Sequence, residues 1–226
     1  MRKPLIIAHK GASYELPGNT LPAIQKAIKD GADVIEVDLR RTKDGEIILS
    51  HNECKLTLAE LKEGYKLHKM PFRPPTLEEV FEKVPKSTVF YLDLKELGMT
   101  DEIKKIARQA HMNEVWYSNK ESLIFAYTPL LYYYPFVPVT IHKVGHGAMP
   151  MFNPERACLH YYENIPSMIT ISHKLGRKVF VWGVNLEREM KKWIELGADG
   201  IITDRPGVLN KIINNPMTNS NTTNDQ

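Results

Sequence analysis

The sequence predicts an α/β fold, a TIM-type (β/α)8 barrel with one accessory hairpin strand. Short β-branched runs alternate with amphipathic helical patterns along the chain, which is typical of βαβ units around a parallel sheet. The length of 226 residues agrees with single barrels, which commonly contain roughly 200 to 250 residues. Nine strands are predicted, and Asp44-Gly45 favours a hairpin, which cannot join parallel neighbours. We therefore expect the surplus strand at this hairpin.

The first βαβ unit has clear boundaries in the sequence. Leu5 to His9 is predicted as a buried strand. Asn19 or Thr20 can cap the following helix, and Gly31 is placed to end it. The second strand then begins at Val34.

Later elements follow from the same signals. Thr57 with Glu60, and Thr76 with Glu79, have the spacing of a capping box and predict two helix starts. Further strands are predicted at Ile47 to His51, Val89 to Lys95, Val115 to Ser118, Phe136 to His142, Ala157 to Tyr161, Val179 to Val184 and Gly200 to Thr203.

The chain is expected to form one domain over residues 1–213, because no Gly/Ser-rich or Pro-rich linker divides it. Two small domains would also fit the length. The remainder, residues 214–226, has no apolar periodicity and is predicted to be a disordered tail.

Composition excludes several classes of protein. The formal net charge is +3, and the 30 Lys and Arg are scattered among 27 Asp and Glu, so no nucleic-acid footprint is evident. No apolar run approaches the roughly 20 residues of a membrane span, and the amino terminus lacks a complete signal-peptide pattern. Cys54 and Cys158 have no metal-binding spacing and are expected to be reduced thiols. We therefore expect a cytoplasmic protein without a transmembrane segment, of unspecified oligomeric state.

Acidic side chains mark two of the predicted strands. The period of two along a strand places Glu36 and Asp38 on one face, and Asp93 and Lys95 on one face of a later strand. If these faces point into the barrel, the charges need compensation. Three carboxylates suit a hard divalent cation, Mg²⁺ or Ca²⁺, with Mn²⁺ a further candidate. A half-exposed sheet or a buried ion pair would explain the same pattern.

Two histidines accompany these acids. His9 and His51 each end a short apolar run, and barrel active sites assemble at the carboxyl ends of strands. One imidazole can take a proton from an attacking oxygen and the other can protonate a departing alkoxide, which suits phosphodiester cleavage. A lone histidine at a strand end is more often structural than catalytic, and the coincidence with the acid pairs favours the catalytic interpretation.

Taken together, the motifs resemble the glycerophosphodiester phosphodiesterase family over nearly the whole chain. The matching elements in order are His9-Lys10-Gly11, Pro17-Gly18-Asn19-Thr20, Gly31-Ala32-Asp33, Glu36-Val37-Asp38, Thr42-Lys43-Asp44-Gly45, His51, Pro75-Thr76-Leu77-Glu78-Glu79-Val80, Asp93-Leu94-Lys95, Ser118-Asn119, Val181-Trp182-Gly183-Val184-Asn185 and Gly200-Ile201-Ile202-Thr203-Asp204-Arg205-Pro206. Each motif is weak alone, and the ordered set is specific.

The resemblance implies a role for each matching residue. Glu36, Asp38 and Asp93 would be metal ligands, and His9 with His51 the general acid/base pair. Lys10 and Lys95 would contact the phosphate, and Trp182 is a candidate wall of the substrate pocket or a core residue. The implied substrates are glycerophosphodiesters, hydrolysed to glycerol 3-phosphate and an alcohol.

The sequence also departs from the family pattern. Lys10 stands where the family usually has Arg, and a lysine supplies a point charge instead of a bidentate fork. Gly18 and Asp93 stand in place of Glu, Asn52 in place of Asp and Gly183 in place of Thr. Only about 24 residues separate His51 from Pro75, where many members carry a small inserted cap domain, so the cap insertion is abbreviated.

Three hypotheses therefore remain for the function. The first is the glycerophosphodiesterase itself. The second is a lysophospholipase D-like enzyme acting on a lipid phosphodiester, and the third is a non-catalytic barrel that binds a phospho-ligand. His142, Lys143 and His146 follow a predicted strand and are either substrate contacts or ordinary loop residues.

Overall fold

A computed structural model describes residues 3–68, 72–119, 142–145, 156–159, 169–170, 173–174 and 178–215. The elements in chain order are β1 (Leu5–His9), α1 (Leu21–Lys29), β2 (Val34–Arg41), β3 (Ile47–Leu49), α2 (Leu58–Leu67), α3 (Leu77–Lys83), β4 (Phe90–Leu94), α4 (Thr100–Gln109), β5 (Glu114–Asn119), β6 (His142–Gly145), β7 (Arg156–Leu159), β8 (Lys178–Trp182), α5 (Glu187–Glu195), β9 (Gly200–Thr203) and α6 (Pro206–Asn214).

The strands form one sheet in the order β6-β5-β4-β2-β1-β9-β8-β7, with β3 attached to β2 outside this path. Along this order, every pair of neighbouring strands from β5 to β7 is parallel. β3 is antiparallel to β2, as expected for the accessory strand after Asp44-Gly45. The fold is the predicted α/β barrel of TIM type.

One strand differs from the expectation. Of the strand predicted at residues 136–142, only His142 lies within the described part of the chain, and it begins β6. β6 pairs antiparallel with β5, from Glu114 opposite Gly145 to Tyr117 opposite His142. Antiparallel neighbours need no crossover helix between them, whereas the predicted parallel strand would need one.

The strands of the barrel alternate between two environments. In β1, Ile7 joins an apolar cluster inside the barrel, whereas Ile6 and Ala8 pack into the outer clusters beneath the helices. The rings of Trp116 and Phe180 stack inside the barrel with centroids 6.2 Å apart. The interior is therefore packed with side chains below the polar residues at the strand ends.

The capping predictions hold in the structure. Thr57 with Glu60 and Thr76 with Glu79 form complete capping boxes. Thr20 is the N-cap of α1, so Asn19 is free for another contact. At the end of this helix Gly31 adopts a φ of 82°, which favours glycine.

Helix α6 continues to Asn214, and residues 216–226 of the predicted tail lie outside the described residues. Their disorder stays a prediction, as does the one-domain boundary at residue 213. Within the described ranges, every helix is too short or too polar to span a bilayer.

Candidate active site

Three carboxylates converge where β2 and β4 run side by side. The parallel register places Asp38 opposite Asp93, and Glu36 lies on the same face of β2. One carboxylate oxygen from each of Glu36, Asp38 and Asp93 lies within 4.8 Å of the others. Glu36 and Asp38 are only 5% and 1% exposed. The predicted acidic face of β2 is thus turned into the barrel, which excludes the half-exposed sheet as its explanation.

Burial, opposed by the charge of His9 and reinforced by the charges of Asp38 and Asp93, raises the pKa of Glu36 to about 7. Three carboxylates held this closely are costly without a compensating cation. Their oxygen donors suit a hard divalent ion, so the residues present fit a metal centre.

Two lysines compensate part of this negative charge. Nζ of Lys95 lies 2.7 Å from Oδ1 of Asp38 and also contacts Asp93. Nζ of Lys10 lies 3.3 Å from the other oxygen of Asp38. Although burial alone would lower the pKa of Lys95, Asp93 and Asp38 raise it above its usual value. The predicted phosphate partners therefore lie against the predicted metal ligands.

Sequence reasoning missed the role of Asn19. Its Nδ2 donates to Oδ2 of Asp38 at 2.9 Å, and its Oδ1 accepts from the backbone N–H of Asp38 at 3.0 Å. Asn19 adopts a left-handed φ of 59°, which asparagine tolerates better than most residues. The available signals were its place in the motif Pro17-Gly18-Asn19-Thr20 and its position directly before the helix cap. This paired contact fixes the orientation of the Asp38 carboxylate.

His9 is oriented by the carboxylate of Asp204, which sequence reasoning named only as part of a motif. Its Nδ1 lies 2.6 Å from Oδ1 of Asp204, which also accepts from the Ser13 hydroxyl at 2.7 Å. Although burial raises the pKa of Asp204, these contacts and a hydrogen bond from Asn185 lower it to about 2. Trp182 packs edge to face on His9, with ring centroids 5.3 Å apart, and its role as a wall of the substrate pocket stays a prediction.

His51 is positioned by the accessory strand β3 and not by a strand of the parallel barrel. Because β3 runs antiparallel to β2, with Leu49 opposite Leu39, the chain after β3 returns toward Asp38. His51 is exposed and lines a cleft of about 400 Å³ together with Lys10. Its Nδ1 lies 3.4 Å from Oδ1 of Asn52, a long contact compared with that of His9 to Asp204. The side chain of His51 is therefore held less firmly than that of His9.

The backbone of His51 is anchored from β2. Nε and Nη2 of Arg40 both lie 3.3 Å from the carbonyl oxygen of His51. Nη1 of Arg40 also lies 3.8 Å from Glu96, which follows Lys95. Arg40 thus connects the turn that carries His51 to the strands that carry the carboxylates.

We expect Arg40→Ala to lower kcat by roughly 10-fold, because loss of this anchor lets His51 shift from its position. Steady-state kinetics should show the loss in kcat more than in KM. Arg41→Ala is the matched control, since Arg41 contacts Leu97, Gly98 and Glu102 but not His51. Equal losses in the two variants would contradict a specific role for Arg40.

Two of the unusual residues noted in the sequence contact each other. A Cβ added at Gly18 would lie 2.8 Å from Cβ of Lys10. The absence of a side chain at position 18 therefore makes room for the stem of Lys10. His142 and Lys143 lie on β6, where only the backbone is described, and His146 lies outside the described residues. The role of these three residues stays open.

An α/β barrel with a carboxylate cluster beside an aspartate-paired histidine at its mouth fits the class of metal-assisted hydrolases. The model of the glycerophosphoryl diester phosphodiesterase family matches residues 9–128 and 148–208. That match spans most of the chain. The chain belongs to this family of phosphoric diester hydrolases.

Individual relatives agree with the family match. The chain is 31% identical over 241 residues to a glycerophosphodiester phosphodiesterase of Caldanaerobacter subterraneus subsp. tengcongensis, covering 93% of this chain and 98% of the relative. It is 28% identical to the lysophospholipase D GDPD1 of Mus musculus, covering 92% of this chain and 86% of the relative. An Oleispira antarctica phosphodiesterase, solved with the product sn-glycerol-3-phosphate, has a TM-score of 0.68 at 21% identity, covering 93% and 97% of the two chains. At this low identity, the structural similarity to the Oleispira protein indicates a shared fold alone.

Proposed function

We propose that the protein hydrolyses glycerophosphodiesters to glycerol 3-phosphate and an alcohol with the help of a divalent cation. The observation that carries this proposal is the convergence of three carboxylates with two lysines and an aspartate-paired histidine at one end of the barrel. Family membership and the glycerophosphodiesterase from Caldanaerobacter support the same substrate class.

Glu36, Asp38 and Asp93 would hold the cation, and their oxygen donors favour Mg²⁺ or Ca²⁺, with Mn²⁺ also acceptable. A divalent ion held there would supply Lewis-acid polarisation of the substrate's oxygens. Lys10 and Lys95 lie against the same carboxylates and are placed to contact the anionic phosphate.

The two histidines would move the protons. With Nδ1 of His9 bonded to Asp204, Nε2 is the nitrogen left to exchange a proton with the substrate. The low pKa of Asp204 keeps this residue ionised at neutral pH, so it holds one tautomer of His9 and stabilises the imidazolium form. His51, across the mouth in the cleft beside Lys10, is the proposed partner in proton transfer.

The test is release of glycerol 3-phosphate from a panel of glycerophosphodiesters in Mg²⁺, Ca²⁺ or Mn²⁺, with a chelator as the negative control. We expect metal-dependent turnover that the chelator abolishes. No turnover in any of the three ions contradicts the proposal. Saturable ligand binding without turnover would favour the non-catalytic barrel instead.

The lysophospholipase D relative makes a lipid phosphodiester the second candidate substrate. In the segment between His51 and Pro75 the described residues form helix α2, and the cleft beside it opens to solvent. Release of the head group from lysophospholipids, compared with release from deacylated diesters at equal concentration, separates the two candidates. A cytoplasmic location remains the expectation from the sequence.

A further inference from the structure

We propose that the cleft beside His51 binds the leaving alcohol and that it favours an uncharged polyol, such as glycerol, over a quaternary ammonium alcohol. This inference rests on the proposed phosphodiesterase function and specifies the alcohol half of its substrate. The cleft measures about 400 Å³, within the roughly 300 to 1,000 Å³ of small-molecule pockets.

The position of the cleft connects it to the reacting groups. Lys10 and His51 are among its lining residues, so the cleft adjoins the proposed phosphate contact and the proposed partner in proton transfer. Tyr65 of α2 and the segment Phe72 to Pro74 also line it. A phosphate held by Lys10 would therefore direct one of its ester groups into this space.

The charge of the lining disfavours a cationic alcohol. Lys10 and Arg73 line the cleft, and none of its lining residues in the described part of the chain is an aspartate or glutamate. The acids that pair with these cations are not among the lining residues: Arg73 Nη2 lies 2.6 Å from Glu79, and Lys10 pairs with Asp38. A trimethylammonium group entering the cleft would meet the cationic side of these two ion pairs, because their carboxylates lie outside the lining.

The other lining groups suit a polyol. Ser50, Asn52 and Tyr65 present side-chain groups that can exchange hydrogen bonds with hydroxyls. Pro17, Leu49 and Pro74 supply apolar surface for the carbon chain of such an alcohol. A mixture of hydroxyl partners and apolar contact is what a polyol requires, because its carbon and hydroxyl faces are both exposed.

The experiment compares kcat/KM for glycerophosphoglycerol and glycerophosphocholine, which both release glycerol 3-phosphate and so share one readout. We expect the wild type to prefer glycerophosphoglycerol by at least about 5-fold, a difference that a few polar contacts can supply. Arg73→Gln should reduce this preference by roughly 3- to 10-fold, mainly through a lower KM for the choline ester.

Lys62→Gln is the matched control, because Nζ of Lys62 also lies near Glu79, at 3.6 Å, while Lys62 does not line the cleft. Its preference ratio should equal that of the wild type. A wild-type preference for the choline ester, or equal ratios in the Arg73 and Lys62 variants, overturns the inference.

Calorimetric binding of the two diesters separates this inference from the proposed function. If neither diester is hydrolysed but glycerophosphoglycerol binds more tightly, the hydrolase proposal fails and the polyol preference stands. If both are hydrolysed with equal efficiency and bind equally, the polyol preference fails and the hydrolase proposal stands.

Discussion

Replacing Asp38 with asparagine is expected to remove tight metal binding and nearly all turnover. Asp38 is 1% exposed, and its two oxygens contact Lys10, Lys95 and Asn19 as well as facing the proposed cation site. An amide supplies a neutral ligand in place of a carboxylate, removes the counter-charge of Lys10 and leaves Lys95 with Asp93 alone. We expect the affinity for Mn²⁺ or Mg²⁺ to fall at least about 100-fold and kcat to fall on the order of 10³-fold.

Titration calorimetry with the metal alone, followed by kinetics, checks this result. Asp101→Asn is the matched control, because the Asp101 side chain is fully exposed on α4 and pairs with Lys104, which is not part of the proposed site. That variant should bind metal and turn over substrate like the wild type. Unchanged metal affinity in the Asp38 variant would show that Asp38 is not a ligand of the ion.

The same cluster predicts the effect of pH on metal binding. In the absence of a cation, burial and the neighbouring acids raise the pKa of Glu36 to about 7. Above that pH the carboxylate is ionised and can bind the metal, and below it a proton competes for the same oxygens. We expect metal affinity to decrease as the pH is lowered through 7.

Local sequence patterns predicted the elements of this fold well, because each depends on neighbours in the chain. The alternation in β2 placed Glu36 and Asp38 on one face, and the hydroxyl-to-carboxylate spacing placed the starts of α2 and α3. What the pattern could not give is which face of β2 points inward. That choice depends on the apolar residues of β1, β4 and β8 that fill the interior.

Contacts between distant parts of the chain were not predictable in the same way. His9 and Asp204 are 195 positions apart and meet only because β9 pairs with β1 in the closing sheet. The orienting contact of Asn19 on Asp38 likewise depends on a left-handed backbone conformation in the turn before α1. No periodicity in the sequence predicts either contact, although Asn19 and Asp204 both lie in motifs that match the family.

The departures at Lys10 and Gly18 lie next to each other in the structure. The stem of Lys10 occupies the space that a side chain at position 18 would need. The nearest atom is Cβ of Lys10, which an arginine would also have, so this crowding bears on Gly18 and leaves the choice of lysine without a structural explanation. Lys10 still reaches Asp38, so the site retains a cation at this position.

Replacing either histidine of the proposed pair tests the chemistry itself. We expect His9→Ala and His51→Ala each to lower kcat by roughly 10²- to 10⁴-fold, the range that general acid/base groups contribute. Metal affinity should remain, because the carboxylates of Glu36, Asp38 and Asp93 form the proposed ligand set. Asp204→Asn should reduce kcat as well, since an amide no longer stabilises the imidazolium form of His9.

His173→Ala is the matched control for these variants. Nε2 of His173 lies 2.8 Å from Asp199, so it also pairs with an aspartate, but Asp199 precedes β9 at the end of the barrel opposite the site. Its loss should leave kcat near that of the wild type. Near-normal turnover in the His9 or His51 variant would refute its role in proton transfer. Loss of both turnover and metal affinity in either variant would instead make that histidine a metal ligand, and the three-carboxylate site would have to be extended to include it.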